Sequence, residues 1–154
     1  MTSKKRIERI KSQGYFNHTD YEITKLAFGN RFAYILCTTI LIIAVSTASI
    51  TLLSIMGIIA FLGVILPYHP FDYIYNGILR HKMLLPKLPP RSSQLKFACS
   101  IATIFILTTT ILFNAGHTIA AYSVGSCLLA SAILVSTTDI CLPSIVYNRF
   151  NTSK

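Results

Sequence analysis

The chain has 154 residues, of which 53% are apolar and only 12% are charged, whereas about 25% charged residues is usual for a soluble domain. Lys and Arg outnumber Asp and Glu by 14 to 5, which gives a net charge of +9. Two long stretches, 32–66 and 97–138, contain no charged side chain. A soluble domain presents charge regularly to water, so this pattern excludes that class and indicates an all-α integral membrane protein.

Residues 1–28 are predicted to form a basic cytoplasmic arm. Residues 1–18 are basic and polar, which favours a mobile or surface-lying segment held near anionic lipid heads. Thr19 and Glu22 have the spacing of a capping box, which predicts a helix start. That helix is either a separate interfacial helix or the first turns of the first membrane span.

Four membrane spans are predicted near residues 29–47, 50–67, 97–114 and 118–138. A helix needs about 20 residues to cross the hydrocarbon core, so each uncharged stretch suits two spans joined by a turn. The segment 114–118 contains Asn and Gly, which favour a turn, whereas 46–49 is a weaker turn signal. The expected fold is a single four-helix transmembrane bundle over 29–138, built from two helical hairpins, with a cytoplasmic tail at 139–154.

The basic residues predict the orientation of these spans. Seven Lys or Arg precede the first uncharged stretch, five lie between the two stretches and two follow the second, whereas the turns within the stretches carry none. This alternation follows the positive-inside rule and predicts that both termini and the middle loop are cytoplasmic. Because topology already accounts for the basicity, and no nucleic-acid-binding signature accompanies it, no nucleic-acid partner is expected.

The middle loop is predicted to contain an interfacial helix. Pro70 suits the first turn of a helix, and Phe71, Ile74, Tyr75 and Ile78 recur with helical spacing to form an apolar stripe. This helix is expected to end at Gly77 or near Arg80. The prolines at 86, 89 and 90 are expected to keep the following residues extended.

Any chemical site is predicted at the cytoplasmic face, with His69, Asp72, Asp139 and Cys141 as candidates. His69 and Asp72 form an H-x-x-D pair that suits cation binding or proton relay, or else capping of the loop helix. Asp139 is either a functional acid or an interface anchor that pairs with Arg149 or another base.

The thiols offer a second kind of chemistry. Cys141-x-x-Ser144 has the form of a monothiol exchange site, and Cys37 and Cys99 are expected at a similar depth, while Cys127 lies mid-span. The alternative is that these cysteines are small buried hydrophobes. Because the chain has no closely spaced Cys pair of the zinc-binding kind, no metal is predicted, and the sequence assigns no cofactor.

The fourth span carries small residues at four-residue spacing. They form two rows, and such rows let helices approach closely. They indicate packing within one chain or an interface between copies. The rows are Ala121, Gly125 and Leu129, and Ser123, Cys127 and Ser131.

Three short motifs are familiar: Leu66-Pro67-Tyr68-His69-Pro70-Phe71-Asp72 followed by Tyr75-Asn76, then Lys96-Phe97-Ala98, and then Asp139-Ile140-Cys141-Leu142-Pro143-Ser144 followed by Tyr147. With these motifs the chain resembles an uncharacterised bacterial family of small four-span integral membrane proteins, defined by a domain of unknown function. The resemblance implies a location in the bacterial cytoplasmic (inner) membrane and no particular reaction.

A binding or scaffold role is therefore the leading functional prediction. A membrane thiol-redox or metal-handling protein is the alternative, and a small transporter subunit is the third. The chain has no Gly-rich phosphate loop, G-x-S-x-G or H-E-x-x-H motif, so an enzyme is not expected. The expected partners are the lipid bilayer and either a second copy of the chain or another membrane protein.

Overall fold

The computed structural model of the protein describes residues 4–151. Within this range all regular secondary structure is helical. The helices are α1 Lys4–Lys11, α2 Asp20–Ser46, α3 Ile50–Ile65, α4 Pro70–Ile74, α5 Arg80–Met83, α6 Ser93–Asn114, α7 Thr118–Thr138 and α8 Leu142–Asn151, with a π-helical turn Tyr75–Leu79 between α4 and α5.

Three helices, α2, α6 and α7, are long and apolar enough to cross a membrane. The shorter α3 reaches that length only together with the helical segment 70–83, from which it is bent by 78°. Many large apolar side chains point outward, as lipid-facing residues do in a membrane bundle. They include Ile42, Ile43, Ile55, Ile58, Phe61, Ile104, Leu107 and Ile111. These features confirm an all-α membrane fold.

The four long apolar elements pack as two antiparallel hairpins around a shared core. α3 packs against α6, α6 against α7, and α2 against both α3 and α7. One end of the bundle, here called the turn end, holds the short connections 47–49 and 115–117. The opposite end, here called the loop end, holds α1, residues 66–92 and α8. Gly116 has a φ of +78°, a value that glycine adopts readily, which explains the tight turn that the sequence predicts there.

The helix boundaries agree closely with the predicted spans except at the starts of the first and third, because α2 begins at Asp20 and α6 at Ser93. Thr19 is the N-cap of α2, and Glu22 completes the capping box, so the predicted helix start is confirmed. The segment after Thr19 belongs to the first span rather than to a separate interfacial helix, and α2 is therefore 27 residues long.

The small residues of α7 pack inside the chain. Ala121 is fully buried, and a Cβ on Gly125 would lie 3.2 Å from Val45 and 3.3 Å from Thr109. This row lets α7 approach α2 and α6 closely, as expected for packing within one chain. The second row differs, because Ser123 and Cys127 are exposed.

The N-terminal segment is packed rather than mobile. α1 is amphipathic, and it buries Ile7 and Ile10 against α2 and the loop end. Gln13, which follows α1, is fully buried. The prediction of a mobile arm is therefore wrong for the described residues 4–18. Apolar side chains of this segment belong to a core cluster, which the basic composition does not reveal.

The helix of the middle loop is longer than predicted. It continues through the π-helical turn to Met83 and ends where Leu84 adopts a left-handed conformation. Tyr75 is fully buried, whereas Ile74 and Ile78 are 43% and 56% exposed. Tyr75 therefore packs inside the protein, while Ile74 and Ile78 face outward.

Candidate functional site

A cavity of about 630 Å³ lies in the loop-end half of the bundle, between α2, α6, α7 and α8. Its walls are mostly apolar, and aromatic rings from α6 contribute to them. The loop end closes it with polar groups. The apolar lining includes Leu41, Met56, Phe97, Ile101, Phe105, Leu128, Leu134, Leu142 and Val146, and the polar lining includes Cys37, His69, Arg91, Cys99, Cys127 and Cys141.

His69 is placed at the cavity by the start of α4. Its Nδ1 accepts a hydrogen bond from the Phe71 N–H at 3.3 Å, and Asp72 Oδ2 accepts one from the His69 N–H at 3.1 Å. These two bonds form a reciprocal capping box with Pro70 at the first helical position. The capping role that the sequence offered for this pair is therefore confirmed.

A buried ion pair joins Asp72 to Arg91. Arg91 Nε donates to Asp72 Oδ2 at 2.7 Å, and Arg91 Nη2 donates to Asp72 Oδ1 at 3.3 Å. Both side chains are only 6% exposed. Burial opposes the charge on the guanidinium, but the carboxylate outweighs it, so the pKa of Arg91 lies above its usual value. Because Asp72 is paired with Arg91, it does not offer the cavity an uncompensated negative charge.

Arg91 is the functional residue that sequence analysis missed. It directly precedes Ser92, the N-cap of α6, and its backbone N–H donates to the Pro67 carbonyl at 2.7 Å. The proline-rich segment thus folds back along the start of the middle loop. A signal was present, since Asp72 is one of only five acidic residues and a buried acid requires a cation.

The imidazole of His69 is neutral. Burial, reinforced by the positive charge of Arg91, lowers the pKa of His69 from 6.5 to about 3. Because Nδ1 accepts a hydrogen bond, the neutral ring carries its proton on Nε2. That nitrogen faces Cys37 Sγ at 4.0 Å, so a ring N–H points toward the cavity.

All four cysteines line the cavity, but Cys141 is not activated. Ser144 Oγ donates to Cys141 Sγ at 3.1 Å, yet burial raises the pKa of the Cys141 thiol. Cys141 is 5% exposed, and it is therefore mostly protonated at neutral pH. Among residues 4–151, no three His, Cys, Asp or Glu side chains are grouped so that they could hold a metal ion.

Asp139 lies elsewhere at the loop end and does not line the cavity. It ends α7 in a left-handed conformation with a φ of +60°, and its buried carboxylate pairs with Arg31 and, at 2.7 Å, with Arg6 Nε. The predicted pairing with Arg149 or another base is therefore confirmed in its second form, with bases from α1 and α2. Together with Arg9, which donates to the Thr138 carbonyl at 2.9 Å, these cations complement the negative end of α7.

A buried polar network connects this cluster to the cavity wall. Gln13 Nε2 donates to the Asp139 carbonyl at 2.8 Å, and Gln13 Oε1 accepts from Asn30 Nδ2 at 3.0 Å and Tyr34 Oη at 3.1 Å. Tyr34 itself lines the cavity. Sequence analysis missed this network, although Asn30 at the start of an apolar helix was a usable signal, since buried polar groups require partners.

The candidate residues therefore fall into two groups. His69 and Cys141 line the cavity, and Asp72 acts on it through Arg91, whereas Asp139 belongs to a separate ion cluster.

Comparison with known proteins gives a family but no close relative. No curated protein and no solved structure matches the chain. A family model described as Domain of unknown function (DUF4395) matches residues 28–151. That range contains α3, α6 and α7, all of α2 except its first eight residues, and every motif on which the resemblance rests. The chain therefore belongs to the family defined by this domain of unknown function (DUF4395).

Proposed function

We propose that the protein is a four-span ligand-binding protein of the bacterial inner membrane, and that its ligand is an apolar, chain-bearing molecule held in the cavity. The observation that carries this proposal is the cavity of about 630 Å³ with predominantly apolar walls. Ligand sites in proteins are typically concave, apolar and about 300–1,000 Å³ in volume, with a few placed polar groups.

The cavity opens to the outside of the bundle, where its lining residues Cys127, Leu142 and Val146 are exposed. Its apolar walls are unfavourable to leave without a packing partner. Protein interiors are close-packed, and the atoms that line a void lose dispersion contacts. Water does not settle in an apolar cavity, because it needs two to four polar partners there. An apolar molecule that enters the cavity from the membrane restores those dispersion contacts. No water has to leave the cavity walls when it binds.

Binding is tested by filling the cavity. Ala98 lines it, whereas Ala120 is exposed on α7 and does not line it. We expect organic extracts of wild-type protein, purified from native membranes, to contain one apolar compound in near-stoichiometric amount. Ala98→Phe should reduce that amount several-fold, and Ala120→Phe should not. Equal amounts in all three proteins would show only surface lipid and would refute the proposal.

The proposal places the loop end in the cytoplasm, because the basic residues outside the spans concentrate there. Leu84 is 93% exposed at that end, and Thr47 is exposed at the turn end. In a background without natural cysteines, an impermeant thiol reagent added to intact cells should label Thr47→Cys but not Leu84→Cys. Labelling of Leu84→Cys from outside would overturn this orientation.

A thiol-redox function is the second candidate, supported by the gathering of Cys37, Cys99 and Cys141 around one cavity. It requires a reactive thiolate, which the burial of Cys141 disfavours. If binding is the function, Cys141→Ser should retain the bound compound. If thiol exchange is the function, the same variant should fold normally but lose all activity in a disulfide-reduction assay with membrane vesicles.

A further inference from the structure

Two N–H donors at the polar end of the cavity have only sulfur as partner. His69 Nε2 faces Cys37 Sγ at 4.0 Å, and Arg91 Nη1 donates to Cys99 Sγ at 3.5 Å. Among residues 4–151, every buried side-chain nitrogen and oxygen has a partner. Sulfur, however, is a weak acceptor, so an oxygen atom placed here would be a better partner for both donors.

Gly63 leaves room for the imidazole of His69 and for the sulfur of Cys99, to which Arg91 donates. A Cβ at Gly63 would lie 2.6 Å from His69 Cδ2, 3.4 Å from His69 Nε2 and 3.1 Å from Cys99 Sγ. The imidazole and the sulfur that accepts from Arg91 therefore meet over one glycine of α3. Any larger residue at this position would push the polar end apart.

The polar end offers hydrogen-bond donors without net charge. Asp72 neutralises Arg91 through two hydrogen bonds, and His69 is neutral because of its low pKa. A carboxylate or phosphate would lose its hydration on entering this end of the cavity, and it would find no unpaired cation there to compensate its charge. The desolvation free energy would therefore oppose binding. A neutral carbonyl oxygen loses far less on leaving water.

We propose, building on the ligand-binding function above, that the cavity recognises a membrane-soluble quinone, whose carbonyl oxygen accepts hydrogen bonds from His69 Nε2 and Arg91 Nη1. The apolar walls suit the isoprenoid chain of such a molecule, and Phe97 and Phe105 supply aromatic surface for its flat ring. A phospholipid ester also has a carbonyl, but its phosphate would have to share this end of the cavity, where both charged side chains are already paired.

The test uses the full chain in nanodiscs and three probes with chains of similar length: decylbenzoquinone, decylbenzene and dodecanoate. His69→Asn is the key variant, because asparagine is a good N-cap but removes the Nε2 donor. His81→Asn is the matched control, since His81 lies on α5, is exposed and does not line the cavity. Affinities are measured by calorimetry.

We expect decylbenzoquinone to bind wild type more tightly than decylbenzene does, and to lose about tenfold in affinity in His69→Asn, as for one buried hydrogen bond. Decylbenzene should bind wild type and His69→Asn equally, and His81→Asn should leave quinone binding unchanged. The infrared carbonyl stretch of the bound quinone should move to lower wavenumber in wild type, a measurement that does not depend on any variant folding.

The outcomes separate the two proposals. If all three probes bind wild type equally and the carbonyl stretch is unshifted, the quinone proposal is wrong and the apolar-cavity function stands. If dodecanoate binds most tightly and is the probe that His69→Asn weakens, the site recognises an acid instead. If none of the probes binds, the ligand-binding function itself is refuted.

Discussion

Removing one partner of the buried ion pair should destabilise the protein strongly. In Arg91→Met, Asp72 would lose two hydrogen bonds, one of them 2.7 Å long, at a position where its side chain is 6% exposed. Breaking a buried pair in this way typically costs about 3–5 kcal/mol. The double variant Arg91→Met with Asp72→Leu should recover most of this loss, except for about 1 kcal/mol from the missing helix cap.

The exposed pair between Lys11 and Asp20 provides a matched control. Its N–O distance is 2.6 Å, close to that of the buried pair, but its side chains are 35% and 63% exposed. Lys11→Met should therefore cost no more than about 1 kcal/mol. The free energy of unfolding can be measured in mixed micelles by titration with a denaturing detergent and far-UV circular dichroism. If Arg91→Met is no less stable than Lys11→Met, the inference of a buried ion pair is refuted.

Three further predictions concern single residues at the loop end. Gly29→Ala should lower the free energy of unfolding by about 1–3 kcal/mol, because the new Cβ would lie 2.5 Å from the Tyr75 ring. Gly77→Ala should be neutral or stabilising, since its Cβ would meet nothing within 4 Å. Equal unfolding midpoints for the two variants would contradict this. The pKa of His69 falls to about 3 on folding, so between pH 6.5 and 3 the imidazole binds a proton in the unfolded chain but not in the folded one. Stability should therefore decrease as the pH falls through that range, by roughly 1 kcal/mol per pH unit. His69→Asn should remove this slope, and an unchanged slope would show that the imidazole is not buried in neutral form. Asp139→Asn removes the charge but keeps a residue that tolerates positive φ. It should lower the free energy of unfolding by about 1–3 kcal/mol. A loss as large as that in Arg91→Met would mean that the arginines paired with Asp139 cannot reach water.

The sequence predicts the helices well because local signals determine them. Apolar length sets the spans, the Thr19 capping box sets the start of α2, and Gly116 sets the second turn. The π-helical turn after Ile74 has no comparable local signal. It forms where Tyr75 is buried against Gly29 of α2, which is a tertiary contact.

The candidate site was only partly predictable, because its ion pairs are long-range. The capping box of His69 and Asp72 spans three residues and is visible in the sequence. By contrast, Asp139 pairs with Arg6, 133 residues away, so only the packing of α1 against the end of α7 selects that partner. Charge counting predicts the side of the membrane on which these groups lie, but it does not predict which groups meet.

The buried pair is better explained by the cavity than by stability. A buried ion pair is often no more stabilising than apolar side chains of the same size, so Asp72 and Arg91 are not required to hold α4 against α6. The pair differs in this respect from the cluster around Asp139, whose arginines are about 30% exposed and cap the end of α7. Unlike those arginines, Arg91 keeps one N–H directed at a cavity wall, on a weak acceptor. Fixing the guanidinium with two bonds leaves its third nitrogen preorganised for a ligand, and preorganised donors reduce the cost of binding.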